Sequence, residues 1–397
     1  MLDTASTGES GGPGRSPLDI AIELTEHAAS TSWHGPDPYD GLWPRWPRWV
    51  VGGRRRRQLV VQAHARAPLD IRKVYRRRHP RIAKALALFG SAALRVYRST
   101  GHQRGLELAL AALETLAADD SSGARAWGYP FDVQTRWSYY PADTPNVVVT
   151  AFAATALLDA GRLLDREDFD ARAREAARWT LDELWVEGFF GYHPESRVNV
   201  HNANLLGASL VHVALGGDSL VNDRVMRAVD RTLARQAPDG SWPYGETSDL
   251  NWVDSFHTGF VLLCLMRLRA VDSAVEAAIS RGAQFYERFF DTSGRATLWA
   301  DRRFPEDAHS AGTGLSALAA LAMGGHVDRQ LVERVAKRTS DIVVREDATV
   351  ARRYRWGRTA VWYPRWCDAH VALGLADAAD VLSGPSGSIG VSAEPFM

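Results

Sequence analysis

The chain has 397 residues, 46% of them hydrophobic, and its 47 basic and 47 acidic side chains cancel to a formal net charge of zero. That length and composition suit a globular protein of one large domain or two ordinary ones. The balanced charge argues against a nucleic-acid binder that works through a global basic field, so no nucleic-acid partner is expected. Residues 1–16 are rich in Gly and Ser, and 383–397 in Gly, Ser and Pro. Both tails are expected to be disordered around a single domain spanning 17–382. No signal-peptide region opens the chain and no apolar run reaches transmembrane length, which points to a cytoplasmic protein without a membrane span. A first helix is predicted from Pro17 to Ala29, followed by WHGPDPYDGLWPRWPRW (Trp33–Trp49), where Pro and Gly are too frequent for regular structure. The basic run Arg54–Arg57 reads as a solvated helix end, because a short run alone says little about polyanions.

From Pro80 onward helices follow one another in pairs. The spacing predicts Pro80–Arg98 with His102–Ala118, Pro145–Ala160 with Phe169–Trp185, and Asn202–Leu215 with Leu220–Gln236. It continues with Phe256–Arg269 and Ala274–Phe290, His309–Met323 and Val327–Val344, and ends on Trp366–Val381. The first of each pair is built from Ala, Leu, Val and Gly with few charges, whereas the second carries Arg and Glu along one face, as in ARAREAARWTLDEL. Nearly charge-free helices belong inside and amphipathic ones outside. Cys264 falls within such an inner pattern and reads as a buried free thiol, one of only two cysteines, too few for a disulfide framework. From the second inner helix to the sixth, the starts are spaced by about 55 residues, a helical-hairpin repeat. The expected fold is all-α: an α/α toroid of about six inner/outer hairpins with long aromatic loops at one end. The last inner helix has no partner after it, so the N-terminal helix is expected to close the ring.

Five connections from outer to inner helix are alike in kind: Trp127–Asn146, Gly188–Asn204, Asp239–Thr258, Thr297–Ser310 and Ala351–His370. Each carries aromatics and ends in polar residues at the start of an inner helix: Thr144 and Asn146; His201, Asn202 and Asn204; Asp254 and His257; Asp307 and His309; Asp368 and His370. Long loops without periodicity are where binding sites collect. In a ring the inner helices run parallel, so these N-termini gather at one end, with free N–H groups and positive dipole ends turned toward a ligand. Capping accounts for many of the Asp, Asn and Thr. It does not account for His257, His309 and His370, each two or three residues after an Asp. No metal is assigned, because HxH and HExxH spacings are absent, and no cofactor is expected.

Aromatics mixed with carboxylates, amides and Arg suit a carbohydrate, whose C–H faces pack on rings while its hydroxyls need polar partners. The expected binding residues are Trp127, Tyr129, Arg136, Tyr140, Asn146, Asn202, Asn204, Trp242, Tyr244, Trp252, Arg355, Trp366, Asp368 and His370, joined by Trp362 as a further aromatic. A hydrolase would draw two carboxyls about 5–10 Å apart from Glu246, Asp254 and Asp307. A lyase or uronate epimerase would use His201 or His257 as base with Tyr140, and Asn202, Arg136 or Arg355 against the carboxylate. Asp254 and His257 are the pair expected to matter most, and His309 joins the catalytic candidates.

Inner/outer pairs with polar loop ends resemble two superfamilies: the six-hairpin glycosidases with their lyase and epimerase relatives, and the terpenoid-cyclase and protein-prenyltransferase toroids. The segment Gln236–Trp242 (QAPDGSW) looks like one QW motif of squalene-type cyclases, but the DxDD acid motif of those enzymes and the Asp-x-Cys zinc pattern of prenyltransferases are missing. DPYDGL (Asp37–Leu42), WGYPFDVQTR (Trp127–Arg136), TPNVVVTAF (Thr144–Phe152), HNANLLGASL (His201–Leu210) and the stretch Asp239–Phe260 resemble a bacterial and archaeal family often associated with surface-polysaccharide biosynthesis genes. That resemblance implies a toroid with a glycan connection. The leading reading is a carbohydrate-active enzyme acting on a polysaccharide or glycan precursor. The alternatives are a terpenoid cyclase or prenyltransferase-like toroid, and a non-catalytic glycan-binding protein.

Overall fold

The computed structural model describes residues 15–44, 46–67, 78–345, 348–359 and 361–383. Of the tails expected to be disordered, all but Arg15, Ser16 and Ser383 lie outside these residues. Ser16 belongs to structure: its hydroxyl and the Asp19 carboxylate form a capping box that starts the first helix.

In chain order the helices are α1 (Pro17–Ser30), α2 (Arg48–Val51), α3 (Arg54–Arg66), α4 (Ala83–Thr100), α5 (Gln103–Ala117), α6 (Val147–Leu164) and α7 (Glu167–Glu183). They continue as α8 (His201–Leu215), α9 (Ser219–Leu233), α10 (Ser255–Leu268), α11 (Ser273–Tyr286), α12 (Ala308–Met323), α13 (Arg329–Arg338) and α14 (Ala369–Leu382). The even-numbered helices from α4 to α14 form the inner ring. Each packs on the next, and α14 returns against α4. Helices α5, α7, α9, α11 and α13 back their inner partners, while α1 packs on α14 and takes the sixth outer place. The fold is therefore an all-α toroid of six hairpins, closed by the N-terminal helix.

The two helix types separate as their side chains require. Along α6 every residue from Val147 to Gly161 is buried, whereas α9 buries only Val221, Val225, Ala228, Val229 and Thr232, one face at helical spacing. With a mean hydropathy of 1.7 over 18 residues, α6 is long and apolar enough to cross a membrane, contrary to the sequence expectation. It is 83% buried, the signature of a core helix in the ring. Asp caps start α9, α11 and α13, through Asp218, Asp272 and Asp328. Across the closing seam the guanidinium groups of Arg95 and Arg98 pair with Asp377 and Asp380.

Small residues bring the inner helices close together. A methyl group on Gly312 would lie 2.3 Å from the backbone carbon of His370, and one on Gly374 would lie 2.3 Å from the Gly312 oxygen. Neither backbone can yield without moving the α12–α14 contact. Gly312→Ala is accordingly expected to cost about 1–3 kcal/mol by overpacking, read as a lower denaturation midpoint at unchanged far-ultraviolet dichroism.

Short ladders brace the connecting loops, among them Val133–Gln134 with Tyr139–Tyr140 and Glu306–Asp307 with Arg352–Arg353. The QW-like segment is one such brace. Gln236 donates to the carbonyls of Gly240 and Ala278, and the Trp242 indole N–H donates to the Thr232 carbonyl, tying α9 to α11. The Arg54–Arg57 run, read as a solvated helix end, starts α3, with Arg54, Arg55 and Arg56 exposed. The sequence reading gave that helix no bounds; it runs on to Arg66.

Candidate functional site

A cavity of about 510 Å³ opens where the inner helices begin. All six contribute from their first turns or the residue just before them: Lys84 from α4, Val148 from α6, Asn202 from α8, Phe256 and His257 from α10, His309 from α12, and Arg365 with Trp366 from the π-helical turn Pro364–Asp368 that leads into α14. The gathering of N-termini expected from parallel inner helices is thus the floor of one cavity. The loops build the walls, with Tyr129, Arg136 and Trp137 on one side and Tyr244 and Trp252 on another. Gln58 and Gln62 of α3 complete the rim, and Arg57 fixes that helix by donating to Gln134 Oε1 at 2.8 Å.

The centre of the site is the Asp254–His257 pair. Asp254 does two jobs with one carboxylate. Its Oδ1 accepts the His257 backbone N–H at 3.0 Å and caps α10, while its Oδ2 lies 2.7 Å from His257 Nδ1 and also accepts the Trp252 indole N–H at 3.0 Å. A carboxylate only accepts, so His257 Nδ1 carries the proton and Nε2 is the nitrogen left for the cavity. Among the described residues nothing bonds that Nε2.

His309 is held in the same way by a different acceptor. Its Nδ1 donates to the Trp366 carbonyl at 2.7 Å, and its Nε2 is buried without a partner among the described residues. Burial, then the charges of Lys84, Arg365 and His257, hold its pKa well below the usual imidazole range, although the Trp366 bond opposes them. The ring is therefore neutral at physiological pH, with a lone pair on Nε2. Both rings contact Phe256, at 4.3 and 4.5 Å between centroids, and His309 stacks on Trp366 at 4.3 Å. His370 lies 4.1 Å from His309, away from the cavity wall, also pushed down by burial.

Of the residues expected at the site, Tyr129, Arg136, Tyr140, Asn202, Tyr244, Trp252, His257, His309 and Trp366 line the cavity. Tyr244 and Trp252 stack face to face at 4.5 Å with 15° between their planes, and the Arg136 guanidinium sits 5.2 Å from the Trp252 ring. Asp254 and His201 lie just behind the wall, lining a small pocket of about 10 Å³ beside Asn202. Burial, partly opposed by Glu246, pushes the His201 pKa down to about 4, and its Nδ1 lies 3.3 Å from the Thr232 hydroxyl.

The other expected residues are elsewhere. Trp127 is a core side chain, 1% exposed, donating to the Leu116 carbonyl with Arg172 over its ring. Trp242 is buried in the α9–α11 brace, with only an edge on the small pocket. Asn146 caps α6, and Asn204 ties α8 to the Phe190 N–H, the Ala228 carbonyl and Thr232. Asp307 caps α12 and pairs with Arg352 at 2.9 Å. Asp368 accepts from Thr349 and from the Trp362 indole, and burial raises its pKa to about 6. Arg355 is exposed on a hairpin beside Trp356. Trp362 stacks on His27 of α1 at 4.6 Å.

Glu246 is a partly buried brace. It binds Arg231 at 2.6 Å, lies 3.6 Å from Arg235, and accepts from Asn199 at 3.0 Å. Burial alone would raise this carboxyl, but the bonds from Arg231 and Asn199 outweigh it and hold the pKa at about 2. A carboxyl depressed in the folded state stabilises above its unfolded value, 4.5, and loses that contribution as pH falls toward 2. Allowing for solvent around the partly exposed Arg231, about 1–2 kcal/mol should vanish across that window. Urea titrations of the wild type and Glu246→Gln at several pH values should converge at the acid end.

The site also holds residues that sequence reasoning passed over. Lys84 is the only charge in the run Ala83–Leu94, and that lone charge on an inner helix was the signal. Arg365, 3% exposed, pairs with the fully buried Asp37 of the DPYDGL segment. Burial opposes its charge, and Asp37 more than offsets that cost. Tyr192, Trp137, Gln134 and Tyr39 complete the lining. Burial pushes the Tyr39 phenol up to about 12 and those of Tyr140, Tyr192 and Tyr244 higher than usual, so all stay neutral donors. Among the described residues no Asp or Glu lines the cavity, and no group of three or more His, Cys, Asp or Glu side chains is placed to hold a metal.

No protein-family model matches the sequence, and no curated protein matches it. Solved structures do. A cellobiose 2-epimerase from Bacillus thermoamylovorans B4167 superposes with a TM-score of 0.57 at 13% identity, covering 76% of this chain and 88% of its own. An α-1,6-mannanase from Salegentibacter sp. HEL1_6 gives 0.60 at 10% identity, over 92% and 100% of the two chains. An unsaturated glucuronyl hydrolase variant with dGlcA-Glc-Rha-Glc gives 0.64 at 10%, over 94% and 98%. At such identities the likeness establishes the architecture and nothing finer: this chain has the six-hairpin α/α-toroid fold.

Proposed function

We propose that this protein is a carbohydrate-active enzyme that moves a proton at a sugar carbon next to a carbonyl or carboxyl group, as an epimerase, isomerase or lyase does. The observation that carries the reading is the paired imidazoles His257 and His309 at one cavity, each with Nδ1 engaged and Nε2 without a partner among the described residues, where no described carboxylate lines the wall. Glycoside hydrolysis ordinarily takes two carboxyls, one on each side of the scissile bond. Here Glu246, Asp254 and Asp307 are all committed to ion pairs, caps or the orientation of His257.

In this reading the sugar lies against the Tyr244–Trp252 stack with its reacting carbon between the two imidazoles. His309, neutral, takes the proton from carbon through Nε2. The bonding pair moves onto the carbonyl oxygen, whose growing charge faces Arg365 and the neutral phenols. His257, held at Nδ1 by Asp254, takes a proton from solvent on Nε2 and gives it to the carbon in an epimerase, or to the departing oxygen in a lyase. The similarity in fold to an epimerase and to enzymes of oligosaccharides supports a sugar ligand. A terpenoid cyclase is disfavoured by the missing acid motif.

The test is product analysis on a panel of reducing disaccharides, free hexoses and uronate-containing oligosaccharides. The reading predicts a stereoisomer, a ketose or an unsaturated sugar. Release of new saturated reducing ends, with no such product, would replace it by a hydrolase.

A further inference from the structure

The chain holds 47 lysines and arginines, and all but Lys73, Lys84 and Lys337 are arginine. Arginine keeps its proton under all ordinary conditions, whereas lysine can lose one and attack carbon. One of these few lysines stands on the cavity floor. Lys84 is 3% exposed, and its Nζ lies 4.1 Å from the centroid of the Phe152 ring and 5.0 Å from that of Phe260. Among the described residues it has no hydrogen-bond or salt-bridge partner. The nearest acid, Asp37, is bound to Arg365. Around the amine are the aromatic faces, the neutral His309 and His370, and the repelling charge of Arg365. Burial and then Arg365 hold its pKa well below the usual lysine value, with Asp37 opposing. A lysine desolvated and set beside another cation is the arrangement that makes an amine nucleophilic.

We propose that Lys84 is a nucleophilic amine that forms an imine with the carbonyl carbon of an open-chain sugar in the cavity. The inference rests on the sugar-binding reading above and deepens it. The Nζ lone pair attacks the carbonyl carbon, and the C=O π pair moves to oxygen, which takes a proton to give a carbinolamine. Loss of water, its oxygen protonated by solvent through His257, leaves a protonated C=N bond to Lys84. A protonated imine withdraws electrons from the adjacent C–H more strongly than a carbonyl does. It thereby eases the proton transfer assigned to His309. Hydrolysis of the C=N bond restores amine and carbonyl.

The measurement is reductive trapping. The folded full-length protein is incubated at pH 7 with sodium cyanoborohydride and either glycolaldehyde or D-glucose, and adducts are mapped by peptide mass spectrometry. One unit of lowered pKa raises the free-amine fraction about tenfold, so Lys84 should be labelled at least about tenfold faster than the exposed Lys337. That preference should vanish in urea, and Lys84→Met, checked for an unchanged melting curve, should carry no rapid adduct. Labelling confined to Lys73, Lys337 and the N-terminal amine overturns the proposal. If proton exchange on sugars nevertheless persists, the amine assignment alone has failed. Trapping of glycolaldehyde at Lys84 with no trapping of glucose overturns the sugar as its partner.

Discussion

His257→Gln is expected to slow proton transfer to and from sugar carbon by about 10²–10⁴-fold, with little change in stability. The stability expectation follows from where the ring sits. The cap of α10 is made by the His257 backbone N–H and not by its imidazole, and the side chain is 24% exposed at the cavity wall. Glutamine keeps the helix and removes the titrating nitrogen. Asp254→Asn is the companion. Its side-chain oxygen can still cap α10, but the amide replaces a pure acceptor facing both His257 Nδ1 and the Trp252 indole N–H. Two donors would then meet a third, and relief comes when the imidazole switches tautomer and presents Nε2–H to the cavity. Such a switch leaves the ring in place but takes away the carboxylate that supports its protonated, donating form, and costs on the order of 10⁴-fold in a comparable Asp–His pair. The kinetic readout is a loss in kcat exceeding any change in KM. Equal activity in both variants with a lowered melting temperature would make the pair structural.

The second large effect is on stability. Arg365→Met should cost about 3–5 kcal/mol, because it removes the guanidinium paired with a fully buried carboxylate. Asp37 is fully buried and Arg365 3% exposed, so solvent can rescue neither. Asp37 belongs to the irregular segment after α1, and Arg365 to the turn into α14, so the pair anchors that segment across the toroid's mouth. The double variant Asp37→Asn/Arg365→Met should recover much of the loss, since two neutral groups replace a broken pair. Urea midpoints of the two single variants and the double variant decide it. Additive losses would show that the two side chains act separately.

The ring was legible in the sequence because the toroid repeats its own physics. Each inner helix has to be small and apolar to pack on two neighbours, and each outer helix has to be amphipathic. The alternation in composition at a regular spacing therefore encodes the closure. The site's location followed from the same logic, as six parallel helices begin at one end. What did not follow was which loop side chains face the cavity. Trp127 and Trp242 share composition with Trp252 and Trp366, yet the first pair turns its indole N–H groups to backbone carbonyls in the core. Glu246 and Asp307 looked like free carboxylates until the partners Arg231 and Arg352, distant in sequence, were placed beside them. Ion pairs between loops leave no periodic trace. Lys84 and Arg365 were missed for the opposite reason: each sits in a segment that reads as core or turn, and only closure of the ring brings them to one floor. The basic run at Arg54–Arg57 marked a helix end, but with no acidic residue in its first turn it did not say that α3 begins there.

The central claim is that the His257–His309 cavity transfers protons at sugar carbon, and isotope wash-in tests it most directly. The protein is incubated in deuterium oxide with reducing disaccharides, hexoses and uronate oligosaccharides, and proton and deuterium nuclear magnetic resonance follow the carbon-bound hydrogens. The account predicts deuterium at the single carbon adjacent to a carbonyl or carboxyl of one sugar class, at a rate that collapses in His257→Gln and in His309→Gln. Turnover of a glycan with every carbon-bound hydrogen retained would contradict it.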